Sequence, residues 1–149
     1  MRERTGLIPL SVAADRIGHA AMRCAGLLAQ MASQGRPVDR CGTGPVAEVY
    51  PAASLKCWGL PWRGYKQPPN AQPLGTLVDD LLAAVPWLDL GPYEGLCRTS
   101  HDAVDSVIAA LTAKAAAQGL TKQPDEKREK AACTEGWIAL PTTPLSHLT

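Results

Sequence analysis

Three carboxylates have the type and the setting to do chemistry in this chain of 149 residues: Glu48, Asp102 and Asp105. Glu48 lies at the centre of residues 46–51, whose valines and tyrosine are typical of a half-buried strand. Because burying an unpaired carboxylate is costly, Glu48 is either solvated on an open sheet face or held at a site. This stretch alone leaves both interpretations open.

Asp102 and Asp105 occupy the first turns of a helix that is predicted to begin after Ser100 and to end at Gly119. Their spacing makes them neighbours on the helix surface, where they either complement the helix dipole or contribute to a site. The other side chains of this helix are mostly apolar or small around its girth. We therefore expect the helix to be buried on most sides, with the two aspartates close to packed structure.

Cations and aromatic rings are interleaved in a proline-rich loop that follows a predicted short helix. Trp62, Arg63, Tyr65 and Lys66 can stack on the bases of a nucleic acid strand and neutralise its phosphates. The same side chains can also pin the loop onto the core, and the pattern does not separate these two interpretations. Arg63 and Lys66 are therefore candidate substrate-binding residues.

Hydrophobic periodicity and turn residues predict the elements that must position these side chains. Helices are predicted at residues 11–34, with Ser11 as the N-cap, and at 52–58, 74–85 and 100–118; strands at 46–51, 87–90 and 135–141; and a connector or short exposed helix at 121–130. Arg16, a further candidate for substrate binding, lies on a polar stripe of the first helix that is either solvated or faces a site. We expect one domain over residues 1–141 and a loose tail over 142–149.

Composition limits the classes of function. Fifteen basic and fourteen acidic residues leave a net charge of +1, so any contact with nucleic acid must be local rather than a broad basic surface. The five cysteines form no CxxC motif, which argues against a disulfide framework or a zinc site and for reduced thiols in the cytoplasm. No apolar run reaches the roughly 20 residues of a membrane span, and no signal-peptide core is seen. We expect a cytoplasmic protein without a membrane partner.

Four short motifs occur in a fixed order along the chain: EVYPAA at 48–53, YK at 65–66, HDAVD at 101–105 and EGWI at 135–138. Together they resemble a family of predicted RNase H-like nucleases, domain-of-unknown-function family number 429. Residues 4–7 and 11–18 are similar to the middle region of the same family.

The resemblance implies an α/β fold, with an RNase H-like mixed sheet flanked by helices. It also implies that Glu48 and Asp102 or Asp105, with Glu135 as a further candidate, bind one or two Mg²⁺ or Mn²⁺ ions. Such ions favour carboxylate oxygens, and a pair of them can clamp the attacking water and the leaving oxygen. The implied activity is metal-dependent hydrolysis of phosphodiester bonds in nucleic acid.

The chain departs from the family pattern in one respect, and this departure suggests an alternative function. The superfamily opens with a β-hairpin whose first strand carries a catalytic aspartate, and no β-rich run with an aspartate precedes Ser11. We therefore expect a C-terminal portion of the domain that lacks those strands. The alternative function is a catalytically inactive RNase H-like binding or interaction module. The unpaired sheet edge would then favour a homo-oligomer or a partner chain that completes the sheet. A small-molecule enzyme that uses His101 and Asp102 is a third option.

Overall fold

The computed structural model describes residues 2–8, 17–67 and 71–148. Helices account for 57% of these residues and paired extended residues for 3%. The α-helices are α1 (Arg2–Thr5), α2 (Gly18–Ser33), α3 (Pro51–Cys57), α4 (Ala71–Ala84), α5 (Glu94–Cys97), α6 (His101–Ala117) and α7 (Glu126–Glu135). Short 3₁₀ helices lie at Gly91–Tyr93 and Leu145–His147.

The predicted α/β fold with an RNase H-like mixed sheet is wrong. Within the described residues, strand pairing is limited to two isolated bridges, a parallel one between Glu48 and Ile138 and an antiparallel one between Thr121 and Pro141. The stretch around Glu48 stays short because Pro51 starts α3 and the carbonyl of Tyr50 accepts the first helical hydrogen bonds. Valine and tyrosine favour an extended backbone when neighbouring strands provide a pleated surface to pack on. The described residues contain no such neighbouring strands.

The other two predicted strands are absent for local reasons of the same kind. Residues 87–90 turn rather than extend, since Leu88 N bonds to the carbonyl of Val85 and the Asp89 carboxylate accepts the backbone N–H of Gly91. Glu135 ends α7, and the residues after it make only the isolated bridges.

The chain divides into two compact units. Unit 1 consists of residues 1–48 and 123–138, and unit 2 of residues 49–122 and 139–149. Unit 1 therefore contains α1, α2 and α7, whereas unit 2 contains α3 to α6.

Unit 2 is built around the apolar faces of α4 and α6. Both helices follow the predicted periodicity and confirm the helices expected at residues 74–85 and 100–118. Ser100 caps α6 as predicted, because its side chain accepts a hydrogen bond from Ala103 N. The fully buried aliphatic side chains of the two helices are Leu74, Leu77, Val78, Leu81, Val104 and Ile108. Burying each such leucine stabilises the fold by roughly 1.5–3 kcal/mol.

One side of α6 is less buried than the sequence predicts. Ser106 and Ala113 are exposed, while Thr112 on the opposite side is buried and donates to the backbone carbonyl of Ile108. The Thr112 and Ser54 hydroxyls also share a hydrogen bond of 2.9 Å, which satisfies both polar groups where α3 packs on α6.

The last residues of unit 2 pack against its core, although a loose tail is predicted there. Leu145 and Leu148 are only 3% and 1% exposed. Trp87 Nε1 donates a 2.7 Å hydrogen bond to the carbonyl of Leu148, which fixes the position of this segment.

Unit 1 holds together through contacts between segments that are far apart in sequence. Arg128 of α7 forms an ion pair with Glu3 of α1, and Trp137 N bonds to the carbonyl of Arg40 at 2.9 Å. The described part of the first predicted helix begins at Gly18 and ends one residue before Gln34. Its predicted N-cap Ser11 and the candidate Arg16 lie outside the described residues.

None of the helices in the described ranges combines the length and the apolar character needed to cross a bilayer.

Candidate anion-binding groove

The candidate site lies in unit 2, where the chain leaves α3 and passes over α6. Helix α3 ends at Cys57, and Gly59 adopts a positive φ of 74°, which allows Leu60 N to bond back to the carbonyl of Leu55. Gly64 repeats the positive φ at 82°. These two glycines let the loop fold back on the unit, which brings its aromatic and cationic residues together.

Tyr65 anchors the loop to α6. Its side chain is only 2% exposed, and its hydroxyl donates a 2.8 Å hydrogen bond to Asp105 Oδ1. Burial, and then the neighbouring Asp105 carboxylate, raise the pKa of the Tyr65 phenol well above its usual value. The phenol is therefore a hydrogen-bond donor at neutral pH, and it holds the loop onto the helix.

Lys66 binds the other oxygen of the same carboxylate. Its Nζ forms an ion pair with Asp105 Oδ2, and the Asp105 side chain is 17% exposed. One half-buried carboxylate thus holds two consecutive loop residues. Because a buried charge needs such partners, Asp105 has a clear structural role in unit 2.

An open groove of about 410 Å³ runs beside this anchor. It is lined by Ala52, Trp62, Arg63, Gly64, Tyr65, Lys66 and Gln67. Arg63, Lys66 and Gln67 are exposed, so donors for hydrogen bonds face solvent here.

Two cations share the ring of Trp62. Lys56 Nζ lies 4.5 Å and Arg63 Cζ 4.1 Å from the centre of this ring, which is half-buried. Cation–π attraction holds each charge near the ring and partly offsets the repulsion between them. The arrangement concentrates positive charge beside the groove, at a position where an anion would be attracted to both groups.

The structure brings together only part of the predicted site. Arg63, Lys66 and Asp105 lie in one region of unit 2. Asp102 is 89% exposed at its side chain and lies 3.0 Å from His101 Nδ1.

Two further predicted metal ligands belong to unit 1. The carboxylate of Glu48 lies against Gly136, close enough to collide with any Cβ placed there. Glu135 is exposed at the end of α7. Glu48 and Glu135 thus both belong to unit 1. The predicted roles of Glu48, Asp102 and Asp105 as metal ligands stay predictions.

In this structure both oxygens of Asp105 already have partners, since one accepts a hydrogen bond from the Tyr65 hydroxyl and the other binds the Lys66 ammonium. Within the residues that the structure describes, no three His, Cys, Asp or Glu side chains form a group that could hold a metal ion. No catalytic step through such an ion is therefore derived from this geometry.

A family model described as "Protein of unknown function (DUF429)" matches residues 1–129. The chain belongs to this family. The resemblance is confirmed for the three motifs that lie within these residues, while EGWI at 135–138 lies outside them, and the DUF429 description assigns neither a fold nor a reaction. No curated protein and no solved structure matches the chain. For this DUF429 chain, function must be argued from the groove.

Sequence reasoning missed Lys56 and the pairing of Tyr65 with Asp105. Lys56 precedes Trp62 by six residues and reaches its ring only because the chain reverses direction at Gly59. Tyr65 and Asp105 are 40 residues apart, and no local pattern links them. The available signal is the alternation of aromatic and cationic residues in the loop, which drew attention to Arg63 and Lys66.

Proposed function

We propose that the chain is a binding module for single-stranded nucleic acid, which contacts a few phosphates at the groove beside Trp62. The observation that supports this function best is the pair of cations, Lys56 and Arg63, held on one tryptophan ring next to Lys66. Guanidinium and ammonium groups are the side chains that recognise phosphate oxygens in proteins.

The form of the groove favours a strand over a compact anion. The groove is open to solvent, and its exposed donors lie along one loop rather than converging in a closed cavity. Proteins that bind single strands combine such a cationic track with aromatic side chains. Because the net charge is only +1, binding must depend on these local cations, and few phosphates can be engaged.

The test is binding of a fluorescently labelled oligo(dT) or oligo(U) to the full chain, followed by anisotropy at low salt. We expect Arg63→Ala and Lys56→Ala each to weaken binding about tenfold, which corresponds to about 1.4 kcal/mol. Lys114→Ala is the matched control, because Lys114 also lies on a tryptophan ring, but on that of Trp87, which does not line the groove, whereas Lys56 lies on the groove residue Trp62. Equal losses in all three variants, or no binding by the unaltered chain, would contradict the proposal.

Metal-dependent phosphodiester hydrolysis stays a prediction that rests on the resemblance. A thermal shift measured with and without Mn²⁺ tests it separately from binding. A rise in melting temperature that disappears in Glu48→Gln and Asp102→Asn would support a bound ion at these carboxylates, which the hydrolysis requires. No response to Mn²⁺, together with intact oligonucleotide binding, would leave the binding module as the function.

Association with a second copy or with a partner chain also stays a prediction. This association was expected because an unpaired sheet edge would need a partner strand, but the described residues contain no such sheet. The elution volume of the full chain in size-exclusion chromatography tests this directly.

A further inference from the structure

A tight turn at residues 39–43 of unit 1 is organised by one carboxylate. Asp39 Oδ1 accepts the backbone N–H of Cys41 at 2.8 Å. Asp39 Oδ2 accepts the thiol of the same residue at 2.9 Å. The sulfur of Cys41 also lies 3.5 Å from Thr43 Oγ1. The thiol is therefore held in one direction rather than rotating freely.

The turn packs against the end of α7. Trp137 N donates a 2.9 Å hydrogen bond to the carbonyl of Arg40, the residue before Cys41. On the other side of Cys41, a Cβ on Gly42 would lie 2.7 Å from Cδ1 of the Trp137 ring, so the turn and the ring are in close contact. Cys133 is in the last turn of α7, four residues before Trp137. The contacts on both sides of Cys41 thus hold the turn against the segment that directly follows Cys133 and α7.

The two thiols lie within interaction range of each other. The pKa of the Cys133 thiol is raised, first by its hydrogen bond with Cys41 and then by desolvation, with the charges of Asp39 and Glu129 adding to the effect. Cys133 is exposed, whereas Cys41 is half-buried, and neither is in a disulfide. A disulfide needs an S–S bond of roughly 2.05 Å and Cβ atoms about 3.5–4.5 Å apart, so cysteines whose side chains already interact are candidates for one.

We propose that Cys41 and Cys133 are a redox-active thiol pair that closes into a disulfide on reaction with a small-molecule disulfide such as oxidised glutathione. Cys133 is exposed and reacts first: its thiolate attacks one sulfur of the oxidant and expels one glutathione thiolate. The Cys41 sulfur then attacks Cys133 and expels the second glutathione. Both cysteines are oxidised, the oxidant is reduced to two thiols, and the two cysteine protons end on these.

Asp39 acts as a positioning residue in this reaction. Its carboxylate holds the Cys41 thiol in place beside Cys133, so the second step is intramolecular. The raised pKa of Cys133 lowers its thiolate fraction at neutral pH, which slows the first step.

The test is incubation of the full chain with oxidised glutathione, followed by blocking of free thiols, digestion without reductant and mass spectrometry. We expect a cross-linked peptide that joins Cys41 to Cys133, together with two fewer alkylated thiols per chain. Cys24→Ser is the matched control, because Cys24 is an exposed cysteine of α2, and this variant should form the same cross-link.

The two single variants separate the steps. In Cys41→Ser the reaction should stop at a stable mixed disulfide between Cys133 and glutathione, whereas Cys133→Ser should react more slowly, because Cys41 is half-buried. Asp39→Asn should keep the mixed disulfide at Cys133 but slow its conversion to the cross-link. A persistent mixed disulfide at Cys133 in the unaltered chain, or a cross-link between any other pair of cysteines, would overturn the proposal.

Discussion

The Asp105 carboxylate connects two side chains of the groove to α6. One of its oxygens accepts a hydrogen bond from the Tyr65 hydroxyl, and the other forms an ion pair with Lys66. Hydrogen bonds to a charged group contribute more than neutral ones, about 1.5–3 kcal/mol each. At the scale of single residues, the position of the loop thus depends on one half-buried charge.

We expect Tyr65→Phe to lower the free energy of unfolding by about 1–3 kcal/mol, since it leaves an oxygen of Asp105 without its donor. Urea unfolding followed by circular dichroism measures this loss. Tyr93→Phe is the control. Because Tyr93 is 67% exposed, this variant should change the free energy of unfolding by no more than about 0.5 kcal/mol. Similar losses in both variants would contradict the role assigned to Tyr65.

The same tyrosine predicts a dependence of stability on alkaline pH. Its pKa is raised in the folded state by burial and by Asp105, so an unfolded phenol ionises near pH 10 while the folded one does not. The contribution of Tyr65 to stability is therefore complete below about pH 10 and is lost as the pH rises further. Above that pH, we expect the unaltered chain to lose stability more steeply than Tyr65→Phe, by about 1.4 kcal/mol per pH unit. Parallel curves for the two proteins would rule this out.

At the scale of elements, hydrophobic periodicity and capping residues predicted the helices, whose formation depends on residues close together in the sequence. Ser100 and the apolar spacing that follows it located α6, and the same reasoning located α4. The strand at residues 46–51 was predicted from valine and tyrosine, whose preference for extended structure depends on the strands beside them. Its outcome was decided by Pro51, which begins a helix, and by the lack of neighbouring strands in the described residues.

The candidate site shows the same limit. Arg63 and Lys66 could be named from the sequence because they are interleaved with aromatic residues in one loop. The bonds of Tyr65 and Lys66 to Asp105 could not, since they join residues 40 and 39 positions apart and depend on how the loop crosses α6. Contacts of this length are set by packing rather than by local pattern.

A substitution at Gly136 tests the backbone conformation of the segment that follows α7. It has a positive φ of 95°, and a Cβ there would collide with the Glu48 carboxylate. We expect Gly136→Ala to lower the melting temperature of the protein, because the positive φ disfavours a side chain, whereas the Glu48 carboxylate, at the end of a flexible side chain, can move aside at little cost. Thermal unfolding followed by circular dichroism measures the change.

Gly26 provides the opposite control. It lies within α2, and nothing stands within 4 Å of a Cβ at this position. Because alanine favours helix over glycine, Gly26→Ala should stabilise the protein by about 0.5–1 kcal/mol. If Gly136→Ala were tolerated as well as Gly26→Ala, the backbone described at the end of α7 would be incorrect.

At the scale of the whole molecule, the near balance of charge makes salt a quantitative probe of the proposed binding. With a net charge of +1, the attraction for a strand must come from the local cations beside the groove. Each phosphate neutralised on a single strand contributes about −0.7 to the slope of log K against log salt. For the three cations Lys56, Arg63 and Lys66, we expect a slope of about −2.

The slope is measured by repeating the oligonucleotide titration at several salt concentrations. Arg63→Ala should make it shallower by about 0.7, while Lys114→Ala should leave it unchanged. A much steeper slope in the unaltered chain would show that cations beyond the groove take part, and would contradict a local contact.

The division of the chain into two units also separates its four tryptophans. Trp137 belongs to unit 1, whereas Trp58, Trp62 and Trp87 belong to unit 2. In a Trp137→Phe variant, indole emission would come from unit 2 alone, and its difference from the unaltered chain would report unit 1. The protein thus carries an intrinsic fluorophore in each half, with which the order of melting of the two halves can be timed without any label.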